Sequence, residues 1–161
     1  MNDSSTDKQF SIRKAHLFFA ESCNEEAWKY VKISELEKEE VESMIHAAHA
    51  ALYHWSKIGS HQGLARANWL LGRVYAVAGY PKIALRYSQN CLSICETKHF
   101  EDRELAFAYE AMARAHAADG SLLVAQEWRT KADLAGKKIL NEKDREAFFA
   151  EMNKEPWFGL I

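Results

Sequence analysis

Two sets of three residues carry the side chains best suited to recognition chemistry: Arg66, Trp69 and Arg73, and Phe107, Glu110 and Arg114. Spacings of three and four put each set on one face of a helix. A guanidinium makes paired hydrogen bonds to carboxylates and stacks on rings. Tryptophan and arginine are also the residues that most often anchor interfaces. A surface of this kind suits an acidic or C-terminal segment of a partner protein. The same six residues have an internal use as well, in which Glu110 pairs with Arg73 or Arg114 across adjacent helices while Trp69 and Phe107 fill the seam between them.

A second group is His46-Ala-Ala-His49, with Glu42 one turn before it and Tyr53 one turn after. These lie on a single helical stripe, and two imidazoles with a carboxylate are ligands for a divalent metal. Glu110 or His116 could complete such a set. The stripe lacks the H-E-x-x-H zinc spacing and the Glu-x-x-His pairs of di-iron bundles. The expectation is therefore no metal and no cofactor, with His46 and His49 kept as the candidates for an alternative: a metal- or small-ligand-binding helical protein, enzyme or binder, that also uses Glu110. No Ser/His/Asp or Cys/His constellation and no glycine-rich phosphate loop is legible, so the chain reads more readily as a non-enzyme.

The elements that hold these residues are helices. Only 2 prolines and 7 glycines occur in 161 residues, which favours long uninterrupted elements, and no stretch has the pattern of a strand. The chain length fits one domain, 1–161. A formal charge of -2 supplies no basic field for nucleic acid or an acidic membrane surface. The opening MNDSSTDKQF has no apolar core of a secretory signal, and no apolar run is long enough to span a bilayer. Cys23, Cys91 and Cys95 are odd in number, and Cys91 and Cys95 sit four apart on one helix, a poor geometry for a disulfide. That usage points to a reducing, cytoplasmic setting.

Seven helices are expected. The first covers about 8–31, with Phe10, Ile12, Leu17, Phe18, Phe19, Cys23, Ala27, Trp28 and Val31 forming a broad apolar face. Ser34-Glu-Leu-Glu37 reads as a capping box that opens the second, which ends at Gly59. The third runs over 61–78, the fourth from Pro81 to about 97, the fifth over 102–118, the sixth from Ser121 to about 138, and a shorter seventh follows Asn141. Gly79 and Gly120 end the third and fifth helices as left-handed caps. Counted from these glycines, Ala84 matches Ala125, Tyr75 matches His116, and Gly72 matches Ala113, a 41-residue echo.

Within 67–96, Leu71-Gly72, Tyr75, Gly79, Ala84 and Leu92 fall at the offsets of a tetratricopeptide (TPR) repeat, and this stretch resembles that family. The proline that closes each TPR unit is missing, with Glu96 at one such place and Lys137 near the other. The resemblance implies an all-α fold of three antiparallel helix pairs stacked as a right-handed solenoid: a divergent pair at 8–58, TPR-like units at 61–97 and 102–138, and a capping helix at 141–153. It also implies that the first helix of each pair lines a concave groove. The family's second, fifth and ninth positions then fall on Arg66, Trp69 and Arg73 in one unit and on Phe107, Glu110 and Arg114 in the next. The implied function is a cytoplasmic protein–protein interaction module, an adaptor or scaffold. The carboxylate-clamp type is a poor match, since its lysine and asparagine positions fall on residues such as Trp69 and Leu70. The apolar tail 154–161, with Trp157, Phe158, Leu160 and Ile161, either folds back on the last helices or joins two copies.

Overall fold

The computed structural model describes residues 4–160, with side chains described from residue 11 onward. The described residues form seven helices and no strand: α1 (Ser4–Val31), α2 (Lys38–Ile58), α3 (His61–Val77), α4 (Pro81–Thr97), α5 (Arg103–Ala118), α6 (Leu122–Lys137) and α7 (Glu142–Met152). No helix among them is long and apolar enough to cross a membrane.

Local chemistry sets the boundaries. Ser60 accepts a hydrogen bond from the Gly63 amide, and Asn141 does the same for Asp144, so each satisfies an otherwise orphaned N–H. Pro81 occupies the first turn of α4, where its missing N–H costs nothing. The capping box of α2 forms one turn later than expected, between Glu37 and Glu40, so the helix begins at Lys38. The turns after α3 and α5 are copies of each other. Gly79 and Gly120 take φ of 82° and 81°. The next amides, of Tyr80 and Ser121, bond back to the carbonyls of Tyr75 and His116 at 2.9 Å each, the six-to-one bond of a Schellman cap.

Neighbouring helices pack in pairs, α1 with α2, α3 with α4 and α5 with α6. A second set of contacts links the first members of the pairs: α1 touches α3, α3 touches α5, and α5 touches α7. Small residues permit the closest approaches. A Cβ on Gly72 of α3 would stand 2.5 Å from Ser88 Oγ of α4, and one on Gly136 of α6 would stand 2.3 Å from the Phe148 ring of α7. The core is correspondingly rich in alanine, including Ala48, Ala67, Ala84, Ala106, Ala113, Ala125 and Ala132. The result is a repeat-like all-α fold.

One expectation changes and one open alternative is decided. The apolar face of α1 is largely open. Ala20, Ala27 and Val31 are buried, but Ile12, Leu17, Phe18 and Phe19 are exposed. The physical reason is rotation: Arg13 bonds the Ile58 carbonyl at the end of α2, so α1 runs beside α2 from there on, but the side turned inward carries His16, Ala20 and Ala27 while Phe18 points away. Phe10 lies outside the described side chains. The tail, in contrast, folds back. Trp157 is buried against α5 and α7 with Met152, Phe148 and Ala113, and Phe158 reaches Ala76, Ala84 and Ala115 on α3, α4 and α5. The tail residue Ile161 lies outside the described residues.

Replacing glycine by alanine inside a helix usually adds about 0.5–1 kcal/mol of stability. At Gly136 the opposite sign is expected, because the new methyl meets the fully buried Phe148 ring. Gly136→Ala should lower the unfolding free energy by about 1–3 kcal/mol in urea titrations.

Candidate functional site

The two trios do face one another across α3 and α5, but they divide into a buried layer and an open layer. Glu110 is the centre of the buried one, with 0% of its surface exposed. One carboxylate oxygen accepts from the Trp69 indole N–H at 2.7 Å. The other accepts from Arg73 at 3.0 Å and from Nε of Arg114. Arg73 and Arg114 are themselves buried. Burial pulls the Arg73 guanidinium below its usual range, with Glu110 and then Glu151 opposing that pull and Arg114 adding to it.

The second anion of this cluster comes from α7. Glu151 sits 3.2 Å from Arg73 and 2.7 Å from Lys154. Arg114 is completed by main chain, donating to the carbonyl of Glu151 at 3.0 Å and of Pro156 at 2.7 Å. Its guanidinium also lies 3.9 Å from the centroid of the Trp157 ring, over which Arg129 sits at 4.5 Å. Two guanidiniums are thus buried with two carboxylates, and the chain's own C-terminal segment covers Arg114. Arg73, Glu110 and Arg114 are structural ties here, with little surface left for a partner.

A regular register runs through the cluster. Arg73 reaches Glu110 and Arg114 reaches the Glu151 carbonyl, each 37 residues on, while Trp69 reaches Glu110 at 41. A 41-residue step carries Trp28 to Trp69, Glu110 and Glu151 on α1, α3, α5 and α7 in turn. The sequence alone placed Trp28 only in the apolar face of the first helix and did not mark Glu151. Extending the echo of Gly79 and Gly120 through all four helices is the signal that would have found them.

The open layer borders a cavity of about 540 Å³ among α1, α3, α5 and α7. Trp28, Trp69 and Phe107 form its aromatic wall, with neighbouring ring centroids 5.1 and 5.0 Å apart. Three cations rim it, and each already holds a carboxylate: Arg66 with Glu104 at 2.8 Å, Arg103 with Asp144 at 3.0 Å, and Lys154 with Glu151. Burial would raise the Glu104 carboxyl, but its bonds from Arg66 and Gln62 outweigh that and hold it below its usual range. Cys91 also lines the cavity; its hydrogen bond with Cys95, and then burial, push its thiol well above the usual range. A thiol held in that way behaves as a small apolar surface and not as a nucleophile. Cys23, Cys91 and Cys95 are all free thiols. The arrangement can grip a flat or apolar group against the rings and orient it with rim charges.

The histidine group is not brought together with Glu110. His49 Nε2 is 2.8 Å from the Tyr75 hydroxyl, and its ring lies edge-on to Tyr75 and Tyr87, which stack on each other. His46 and Glu42 are exposed on α2, and His116 is half-buried on α5. No three or more His, Cys, Asp or Glu among the described residues are grouped to hold a metal ion.

Two outcomes follow from this geometry. Removing the shared anion leaves two buried guanidiniums undercompensated, so Glu110→Gln should cost about 3–5 kcal/mol in chemical unfolding. Burial is the first cause that holds His49, His54 and His116 below the ordinary value of 6.5. A base with a depressed native pKa is charged more readily in the unfolded chain. Its contribution is whole above 6.5 and is lost as pH falls below it. The urea midpoint should therefore drop between pH 7.5 and pH 5.5, and His49→Gln should reduce that drop.

Comparison with known proteins found no family model, no curated protein and no solved structure that matches this chain.

Proposed function

We propose that this chain is a TPR-like interaction module: a right-handed solenoid of three antiparallel helix pairs with a capping helix, working in the cytoplasm as an adaptor or scaffold that binds a segment of a partner protein. The TPR-type offsets at 67–96, the copied turns at Gly79 and Gly120, and the contacts along α1, α3, α5 and α7 support the architecture. The free thiols are consistent with a reducing compartment.

The observation that carries the functional reading is the open aromatic cavity on the first-member helices. Its size is in the range of sites that enclose a small ligand or a protruding side chain. The partner segment would place an aromatic or branched apolar side chain against Trp28, Trp69 and Phe107. Since every rim cation already holds an acid, the apolar anchor supplies most of the affinity. An acidic residue next to the anchor would meet Arg66, exchanging with Glu104.

Ala150 lines this cavity from α7 and is exposed, so a long side chain there blocks the mouth without disturbing a packed contact. Peptides selected from a random display library on the wild-type protein should lose about tenfold or more in affinity for Ala150→Arg. They should also share an aromatic or large aliphatic residue. A library that yields no binder, or binders indifferent to Ala150→Arg and Phe107→Ala, would refute the reading.

A further inference from the structure

The first half of α1 leaves a group of large apolar side chains open among the described residues. Phe18 is 63% exposed, and Ile12, Leu17 and Phe19 are exposed with it. Tyr53 of α2, edge-on to His16 of α1, adds a further exposed ring on the same side as Phe19, which packs on His54. The helix is turned so that His16 meets His54 at 2.8 Å and Ala20 and Ala27 are buried, which leaves Ser11, Ala15 and Phe18 exposed in a row that continues to the half-buried Ser22. Ile12 and Phe19 flank that row on one side, and Lys14 and Glu21 flank it on the other.

We propose that this face is a homodimer interface, in which α1 packs antiparallel on α1 of a second copy. Three features select a second copy as the occupant. First, the row holds one large residue, Phe18, among the small residues Ser11, Ala15 and Ser22. An antiparallel register that sets Phe18 on Ala15 of the second copy automatically sets Ala15 under the other Phe18 and Ser11 against Ser22. A two-fold interface requires this self-complementarity. Second, the same register brings Ile12 beside Phe19 of the second copy, so the apolar flank meets itself. Third, the charged flank is complementary only when the helices run in opposite directions. Lys14 then meets Glu21 of the second copy and Glu21 meets Lys14, whereas a parallel pairing would set the charged flank of each copy against the apolar flank of the other. The exposed parts of Ile12, Phe18, Phe19 and Tyr53 amount to on the order of 400 Å² per copy, from the size of such side chains. Doubled, and with the polar flanks added, that area approaches the ~1,000 Å² expected of a specific interface. The cavity between α1, α3, α5 and α7 plays no part in this argument, so the dimer stands or falls independently of peptide binding.

Sedimentation equilibrium of the full chain over about 1–100 µM tests the proposal, a range that brackets micromolar dimers. The wild type should dimerise. Phe18→Glu should be monomeric, with the helical circular dichroism signal unchanged because Phe18 touches little of its own fold. Lys14→Glu and Glu21→Lys should each weaken the dimer about tenfold, since a two-fold axis doubles every charge change. The double variant Lys14→Glu with Glu21→Lys should restore wild-type association. A wild type that stays monomeric across the range overturns the proposal. So does a dimer that Phe18→Glu leaves intact, or a double charge swap as weak as its single components.

Discussion

The carboxylate of Glu110 is the interaction on which the rest of this structure depends. It is fully buried and accepts from three side chains on two helices: Trp69 and Arg73 of α3, and Arg114 of its own α5. A buried guanidinium needs a counter-charge and acceptors for its donors, and of the two here only Arg73 Nε is left without one. Two of them meeting at one carboxylate require a second anion and more acceptors. Glu151 supplies the anion, and the carbonyls of Glu151 and Pro156 supply the acceptors. The docking of α7 and the path of the tail are thus consequences of charge balance at the centre of α3 and α5, in addition to the apolar burial of Phe148, Met152 and Trp157.

The same register that builds the cluster also builds the cavity. Stepping by 41 residues puts Trp28, Trp69, Glu110 and Glu151 at equivalent places on α1, α3, α5 and α7. Where the equivalent residues are indoles, the file is an aromatic wall, and where they are carboxylates it is the ionic tie. The tie closes the half of the inner surface that the tail crosses, from Trp157 to Phe158 over Ala76 and Ala115. The half bordered by Trp28, Arg66 and Phe107 stays open. One register thereby both ties α3, α5 and α7 together and leaves the cavity beside them. The alanine and glycine content of the core is what lets the helices approach closely enough for short-range bonds between successive repeats.

Histidine placement separates the two ends of the molecule. His49 is fixed by Tyr75 and the stacked Tyr87, so it joins α2 to α3 and α4 as a packing residue. His16 and His54 join α1 to α2 nearer the surface, beside the open ring of Phe19. The N-terminal pair therefore adds polar ring contacts to its core of Ala27, Val31, Met44 and Ala48, where the C-terminal half adds buried ions, and it leaves Ile12, Phe18, Phe19 and Tyr53 exposed.

What could be read from the residues alone was what depends on neighbours in the chain. Ser60, Pro81, Asn141, Gly79 and Gly120 mark helix ends because capping and left-handed turns are local physics. Three- and four-residue spacing correctly grouped Arg66, Trp69 and Arg73, and Phe107, Glu110 and Arg114, on shared faces. The spacing says which face a side chain shares, but not what covers that face. Whether Arg73 and Arg114 meet solvent or a buried carboxylate was decided by tertiary structure, since the cover comes from α7 and a tail 37 to 42 residues away in the chain. The exposure of Phe18 and Phe19 was decided in the same way: an amphipathic pattern shows apolar side chains, while only the side of α1 that meets α2, fixed by contacts such as His16 with His54, determines which of them are buried.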